Sequence, residues 1–266
     1  MDLGLEGKGC AVTGASRGIG RETARRLCAE GASVLLVARS PDALAEVGYE
    51  CERAGGHAEA LTLDIRRRDA GDRIVAAATQ SFGHLDVLVN NAGTASWRPL
   101  DEVPDEDWQQ AWELNVMAPL RAMRAAIPAM AERGWGRVVN VSSTAGKRPS
   151  ALMPEYSVAK AAELSLSRLF ADRYARDGVL VNAICPGPTK SELWMAPGGL
   201  LDQSKEVGGH ASRDEALEEA GGKRPIGRLA EVREIADAVV FLCSDRASYV
   251  AGAAWSVDGG TVQVII

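Results

Sequence analysis

The sequence lacks four things: metal-ligand spacing, a paired-cysteine motif, a long apolar run and a basic excess. Each absence removes a class of function. The five cysteines (Cys10, Cys28, Cys51, Cys185, Cys243) are odd in number and none stands in a C-x-x-C pair. That argues for reduced thiols in a reducing compartment rather than a disulfide framework. His57, His84 and His210 are far apart, so no metal site is expected. No stretch approaches the roughly 20 apolar residues that cross a bilayer, and the first residues lack a charged-then-apolar leader pattern. A cytoplasmic protein without a membrane partner is expected. The net charge of −6, with signs interspersed, excludes the basic face that nucleic acid requires. Arg66, Arg67 and Arg68 sit among acids and read as solvated surface.

What is present is an alternation of short apolar runs with longer stretches of helical period, the mark of a parallel sheet covered on both faces. Strands are expected at Gly9–Thr13, Ser33–Val37, Ala60–Leu63, Asp86–Asn90, Arg137–Val141, Leu180–Ile184 and Ala254–Val257. Helices are expected at Gly18–Glu30, Asp42–Ala54, Ala70–Phe82, Glu106–Arg133, Glu155–Arg176 and Glu231–Cys243. Together they make one doubly wound Rossmann-type α/β domain over residues 1–266, with no residues spare for a second. One connection is long. Residues 188–227 hold three Gly-Gly pairs around a short helical pattern, Asp214–Ala220. A glycine-interrupted insertion past a strand's carboxyl end is expected to be a mobile substrate lid.

The first strand runs into Thr13-Gly14-Ala15-Ser16-Arg17-Gly18-Ile19-Gly20 and then a helix. Gly14 permits the tight turn, Gly18 lets backbone N–H groups approach a pyrophosphate, and Gly20 lets helix and strand pack closely. The helix N-terminus adds favourable dipole for the phosphates. The second strand ends Val37-Ala38-Arg39-Ser40. An acid there would bond the ribose 2′-OH of NAD, whereas an arginine accommodates the 2′-phosphate of NADP. With Ala38 at that place, and with Arg39 and Arg17 in reach, NADP(H) is favoured and NAD(H) is the alternative. Asp42 reads as the cap of the helix that begins near it.

Tyr156 and Lys160 lie four apart in a helical segment and so share a face. A free tyrosine, with pKa near 10, is a poor base at neutral pH. A neighbouring ammonium stabilises its phenolate, and the phenol can then give or take the proton that accompanies hydride transfer. Ser143, just past the fifth strand, can hydrogen-bond a substrate oxygen and stabilise the charge developing there. Asn115 lies in the apolar stretch Trp112–Met117, where an unbonded amide is costly.

These residues, in this order, resemble the short-chain dehydrogenase/reductase family over essentially the whole chain. Thr13–Gly20 resembles its T-G-x-x-x-G-x-G turn, Asn90-Asn91-Ala92-Gly93 its N-N-A-G segment, and Asn115, Ser143, Tyr156 and Lys160 its catalytic tetrad, with Tyr156 thirteen residues after Ser143. Pro186-Gly187 resembles the P-G beside the nicotinamide, and Asp258-Gly259-Gly260 the C-terminal segment. The resemblance implies that Gly14, Ser16, Arg17, Gly18, Ile19, Gly20, Arg39, Asp64, Ile65, Asn91, Ala92, Gly93, Tyr156, Lys160, Pro186 and Gly187 line the cofactor site, with Asp64 at the adenine. It also implies that Lys160 bonds the nicotinamide ribose, that Asn115 holds a water behind it, and that Thr189 and Ser191 face the carboxamide. Ser191 is a departure, since the family has threonine there.

The substrate is expected to be a small ketone or secondary alcohol with some apolar bulk, because Trp97, Met153, Leu193 and Trp194 are candidate pocket residues. The family resemblance extends to 3-oxoacyl-carrier-protein reductases. An acidic carrier would need a basic surface, to which Arg98, Lys147 and Arg148 could contribute, but the acidic lid (Glu206, Asp214, Glu215, Glu218, Glu219) speaks against it. A non-catalytic nucleotide-binding regulator is the alternative of another class, and the presence of both Tyr156 and Lys160 weighs against it. By resemblance, the segments Glu106–Arg133 and Glu155–Arg176 would pair between subunits of a homotetramer.

Overall fold

A seven-stranded sheet in the order β3-β2-β1-β4-β5-β6-β7, parallel throughout, forms the centre of the computed structural model, which describes residues 2–263. Residue 1 and residues 264–266, the ends of the expected 1–266 domain, lie outside the described residues. The strands are β1 (Gly9–Thr13), β2 (Ser33–Ala38), β3 (His57–Thr62), β4 (Val87–Asn90), β5 (Gly136–Val141), β6 (Val179–Pro186) and β7 (Ala254–Val257). Continuous burial along β1, β4 and β5 follows from both faces of a parallel sheet being covered, and the polar Asn90, Arg137 and Asn140 among them are hydrogen-bonded. Strand order reverses between β1 and β4, and an open α/β sheet leaves a crevice at the carboxyl ends there.

Helices α1 (Gly18–Ala29), α2 (Pro41–Arg53) and α10 (Val232–Cys243) cover one face; α3 (Ala70–Phe82), α5 (Ala118–Glu132) and α6 (Pro154–Tyr174) cover the other. Leu27, Ile235 and Val239 meet Val12, Val34 and Val139 on the first face. Ile74, Met123 and Ile127 meet Leu35, Leu88 and Val138 on the second. All five cysteines are buried and unpaired.

Three expectations need correction. The third strand is His57–Thr62 rather than Ala60–Leu63. It is an edge strand paired only with β2, from His57 opposite Ser33 onward, so half-exposed residues extend the ladder beyond its apolar part. The cap of α2 is Ser40, whose hydroxyl accepts from the Ala43 N–H, and Asp42 stands one place inside the first turn. The expected helix Glu106–Arg133 is α4 (Asp105–Trp112), a π-helical turn Glu113–Met117, and then α5. Pro119 supplies the cause. It has no N–H to offer the carbonyl of Asn115 four residues earlier, and its ring crowds that carbonyl, so the ladder opens there.

Residues 188–227 carry three short helices, α7 (Glu192–Met195), α8 (Leu200–Gly208) and α9 (Arg213–Gly222). The sequence pattern indicated only the last of them. They share a core of their own, in which Trp194, Leu200, Leu201, Ala216, Ala220 and Leu229 pack together. Trp194→Ala should therefore cost about 3–5 kcal/mol of local stability and speed proteolytic cleavage within residues 192–222. Cleavage at the wild-type rate would show that this cluster does not hold the segment.

Candidate active site

The turn between β1 and α1 is shaped by close approach. Gly14 has φ +67°, and a Cβ on it would stand 2.8 Å from the Ala92 Cα; one on Gly20 would stand 2.4 Å from the Asn91 Nδ2 and the Gly14 carbonyl. Asn91 is the fastener, donating its amide to the Thr13 and Gly14 carbonyls at 2.9 and 3.3 Å. The Thr13 hydroxyl in turn accepts from the Asn91 and Ala92 N–H groups. Asn91 and Thr13 thus build the turn. No side chain caps α1 and no acid occupies its first turn, so its N–H groups and dipole face an open crevice suited to phosphate. A cleft of about 490 Å³ runs from Gly18 and Arg21 to Lys190, Ser191, Glu192 and Met195; Ser143 and Tyr156 do not line it.

At the end of β2, Ala38 is buried and Arg39 exposed, while Arg17 is exposed on the turn. Among the described residues, neither arginine has an ion-pair partner, whereas Arg21 nearby is committed to Glu46 and Glu50. Asp64 follows β3 with its carboxylate gripped by the Arg66 guanidinium at 2.6 Å and the Arg66 N–H at 3.0 Å. That grip holds its pKa down at about 2. Ile65 packs on the second core and Ile19 on the first. Thr189 is buried with its hydroxyl spent on the Gly187 carbonyl at 2.9 Å, while Ser191 opens α7 without using its side chain as a cap. Pro186 ends β6, and a Cβ on Gly187 would stand 2.9 Å from the Asp258 Cα.

The four candidate reactive residues come from three elements past the sheet's carboxyl edge. Ser143 begins the short turn Thr144–Gly146, accepting from the Ala145 N–H at 3.1 Å. That turn lies flush on α6: a Cβ on Gly146 would meet the Lys160 carbonyl at 2.9 Å. Tyr156 is half-buried on the first turns of α6, and the Lys160 Nζ stands 5.7 Å from its ring centre. Asn115, in the π turn, is buried; its amide donates to the Ala111 carbonyl at 2.9 Å, and its Oδ1 has no partner among the described residues. Gly93 marks where two of these side chains, Asn115 and Lys160, converge. A Cβ there would lie 3.3 Å from the Asn115 Oδ1 and 3.9 Å from the Lys160 Nζ. The arrangement places a phenol beside a buried ammonium and a hydroxyl-bearing turn, the elements of proton transfer to or from a substrate oxygen.

Residues 8–198 match the sequence model of the family described as short chain dehydrogenase. The chain belongs to the short-chain dehydrogenase family. Like the family, it is an oxidoreductase that acts on alcohol and ketone groups. This dehydrogenase is 33% identical over 262 residues to the sorbitol dehydrogenase of Cereibacter sphaeroides, covering 96% of this chain and 98% of that one. It is 32% identical over 264 residues to the 3-oxoacyl-[acyl-carrier-protein] reductase of Vibrio cholerae, covering 98% and 100%. The L-sorbose reductase of Gluconobacter frateurii, solved with NADPH and L-sorbose, superposes with a TM-score of 0.92 at 36% identity over all of both chains.

Of the expected pocket residues, Trp97, Leu193 and Trp194 come together in the dehydrogenase, the two indoles edge to face at 6.4 Å. Trp194 is 9% exposed, so it belongs mainly to the core of residues 188–227. Met153 is at the start of α6, where its carbonyl accepts from the Ser157 hydroxyl, and the neighbouring Leu152 carbonyl accepts from the Arg98 N–H beside Trp97 at 2.9 Å.

Two features near the site escaped sequence reading. Asn90, Asn140 and Ser167 form a buried ladder, Asn90 to Asn140 at 2.8 Å and Asn140 to Ser167 at 2.7 Å, that ends on the Glu163 carbonyl. Glu163 itself pairs with Lys160. The only signal in the sequence was an acid three places after a lysine, which on a helix usually marks a surface pair.

Proposed function

We propose that this dehydrogenase interconverts a ketone and a secondary alcohol of a small, partly apolar molecule, with NADP(H) as the preferred nicotinamide. On this reading Asn115, Ser143, Tyr156 and Lys160 carry the chemistry. The cofactor, when bound, supplies or accepts the hydride. Gly14–Gly20 and the N-terminus of α1 would hold its phosphates, and Arg39 and Arg17 the 2′-phosphate.

Tyr156 donates its phenolic proton to the carbonyl oxygen in reduction and takes it back in oxidation. Ser143 hydrogen-bonds the same oxygen, so the charge that develops meets a fixed donor. Lys160 keeps the phenolate accessible by placing positive charge near the Tyr156 ring. The observation that carries this reading is the convergence of Asn115 and Lys160 on Gly93, with Tyr156 one helical turn away.

Residues 188–227 would close over the substrate, with Trp97 and Leu193 on its apolar side. A free small molecule is favoured over an acyl carrier protein. Arg98 is neutralised by Asp107 at 2.6 Å, which leaves Lys147 and Arg148 as the cations of that edge that could meet an acidic carrier. Glu206, Asp214, Glu215, Glu218 and Glu219 are exposed on the lid and would repel it. The sugar substrate named for the sorbose reductase supports the same choice.

Exposed Val158 and Leu169 stand eleven residues apart on α6, close to a whole number of helical turns. This apolar stripe supports pairing of α6 between subunits of a homotetramer.

A panel of ketoses, diketones and 3-oxoacyl thioesters, followed by NADPH absorbance, tests the substrate assignment. Turnover of a free ketone with no preference for a carrier-bound thioester is the expected result. A carrier-bound substrate turned over far faster would reverse the choice.

A further inference from the structure

The Lys160 ammonium is 3% exposed and its partner Glu163 1% exposed, with Nζ 2.9 Å from Oε2. Nζ also donates to the Val141 carbonyl at 2.8 Å. Two of its three N–H bonds are therefore committed to the protein, and one remains for the crevice. A buried ammonium without a counter-charge gives up its proton readily, because burial penalises the charged form.

Among the described residues, Glu163 is the carboxylate that acts on Lys160. On α6, Tyr156 faces the pair; on β6, Cys185 does, its thiol pushed up to about 11 by burial. Lys147 and Asp258, which act on Cys185, lie further out. The π turn presents neutral Asn115, since Glu113 is turned to Arg121. The end of β5 presents Ser142, whose hydroxyl donates to the Lys160 carbonyl at 3.1 Å.

We propose that Glu163 is the buried counter-ion that keeps the Lys160 side chain charged and fixed, a positioning residue that acts on Tyr156 through Lys160. Burial pulls the Lys160 ammonium towards its neutral form, and Glu163, helped by Tyr156, more than offsets this, so its pKa is raised. Burial also lifts the Glu163 carboxyl above the usual carboxylate range, against the pull of Lys160. The two groups therefore ionise as a unit. This inference rests on the reading of Tyr156 as acid/base only in its second half, the step from Lys160 to Tyr156.

The test titrates the two groups directly, in the full chain without substrate. Lysines labelled with 13C at Cε are followed by NMR, with Lys160→Met to assign the Lys160 signal. In Glu163→Gln the Lys160 signal should titrate about one pH unit or more lower than in the wild type, a tenfold or greater loss of proton affinity. Glu163→Asp, which keeps the charge, should stay nearer the wild type. Coincident Lys160 titrations in wild type and Glu163→Gln would overturn the proposal.

Phenolate absorbance of each protein minus its Tyr156→Phe counterpart reads whether the loss reaches Tyr156: at a pH where Lys160 is charged in the wild type and neutral in Glu163→Gln, the variant should hold less phenolate. A Lys160 shift without that loss of phenolate would leave the counter-ion in place and remove the influence of Lys160 on Tyr156.

Lys160→Met keeps the question open to test even where Glu163→Gln does not fold. It leaves Glu163 buried without its cation, with a folded pKa raised above the unfolded value. Such a group contributes stability at low pH that is lost as pH rises through the folded pKa. The Tm of Lys160→Met should therefore fall away from that of the wild type as pH rises from about 5 to about 9. A Tm gap that does not change with pH would also overturn the proposal.

Discussion

Tyr156→Phe is expected to lower turnover by roughly 10²–10⁴-fold, the range over which positioned acid/base catalysis contributes, or about 3–5.5 kcal/mol on the barrier. The size follows from what the substitution removes and what it leaves. Phenylalanine keeps the ring in its half-buried place on α6 and leaves the Lys160–Glu163 pair and the Asn115 amide bond untouched. Only the hydroxyl is lost, and with it the proposed proton donor for the substrate oxygen. In the proposed mechanism Ser143 would still offer that oxygen a hydrogen bond, which would keep the loss from being larger. The glycine turn is built from Asn91, Thr13 and Gly14 rather than from residues of α6, so nucleotide affinity should change little. Single-turnover kinetics and a nucleotide titration of the same preparation separate the two effects. Near-full turnover in Tyr156→Phe would remove the tyrosine from the mechanism, whereas a parallel loss of nucleotide binding would mean that the ring was structural.

The parts of this molecule that were legible in the sequence are those whose physics is local. Strands β1, β2, β5 and β6 are buried on both faces, so each is mostly apolar, with Arg137, Asn140 and Asn182 among the buried polar exceptions. The glycine turn is legible because Gly14 and Gly20 admit no side chain where Ala92, Asn91 and the Gly14 carbonyl already stand. Where a contact is distant, the pattern misleads. The edge strand β3 has only exposed and half-buried residues, and its ladder is set by β2 rather than by its own apolarity. The π turn around Asn115 hides inside an apolar helical period that continues on both sides, and only Pro119 marks it. Trp194 reads as a pocket residue until Leu200, Ala216 and Leu229 are seen packed around it. Glu163 reads as a solvated acid because nothing nearby in the sequence says that β5, β6 and the π turn close over it. The candidate reactive residues were legible as residue types in order; the convergence of Asn115 and Lys160 on Gly93, and the counter-ion behind Lys160, required the fold.

Arg39→Ala should raise the dissociation constant for NADPH by about 10–100-fold, the equivalent of a lost charge-assisted hydrogen bond at roughly 1.5–3 kcal/mol, and that for NADH far less. The 2′-phosphate is the only difference between the two ligands, so the ratio of the two effects isolates contacts made to it. Arg39 is suited to that contact because, among the described residues, nothing competes for its guanidinium. Arg21 and Arg66, by contrast, are already forked onto carboxylates. No acid stands at position 38 to bond a ribose 2′-OH or to repel a phosphate. Ser40 rather than Asp42 caps α2, and Asp42 in the first turn is accommodated by the helix dipole. Because Arg39 is exposed, its contribution is screened by salt, so the NADPH effect should shrink as ionic strength rises while the NADH value stays level. Arg17→Ala should add a smaller loss in the same direction. Titration of both nucleotides by fluorescence at two salt concentrations reads all of these together. Equal changes for NADPH and NADH would move Arg39 off the phosphate and onto the adenine face, where it would stack on either nucleotide alike.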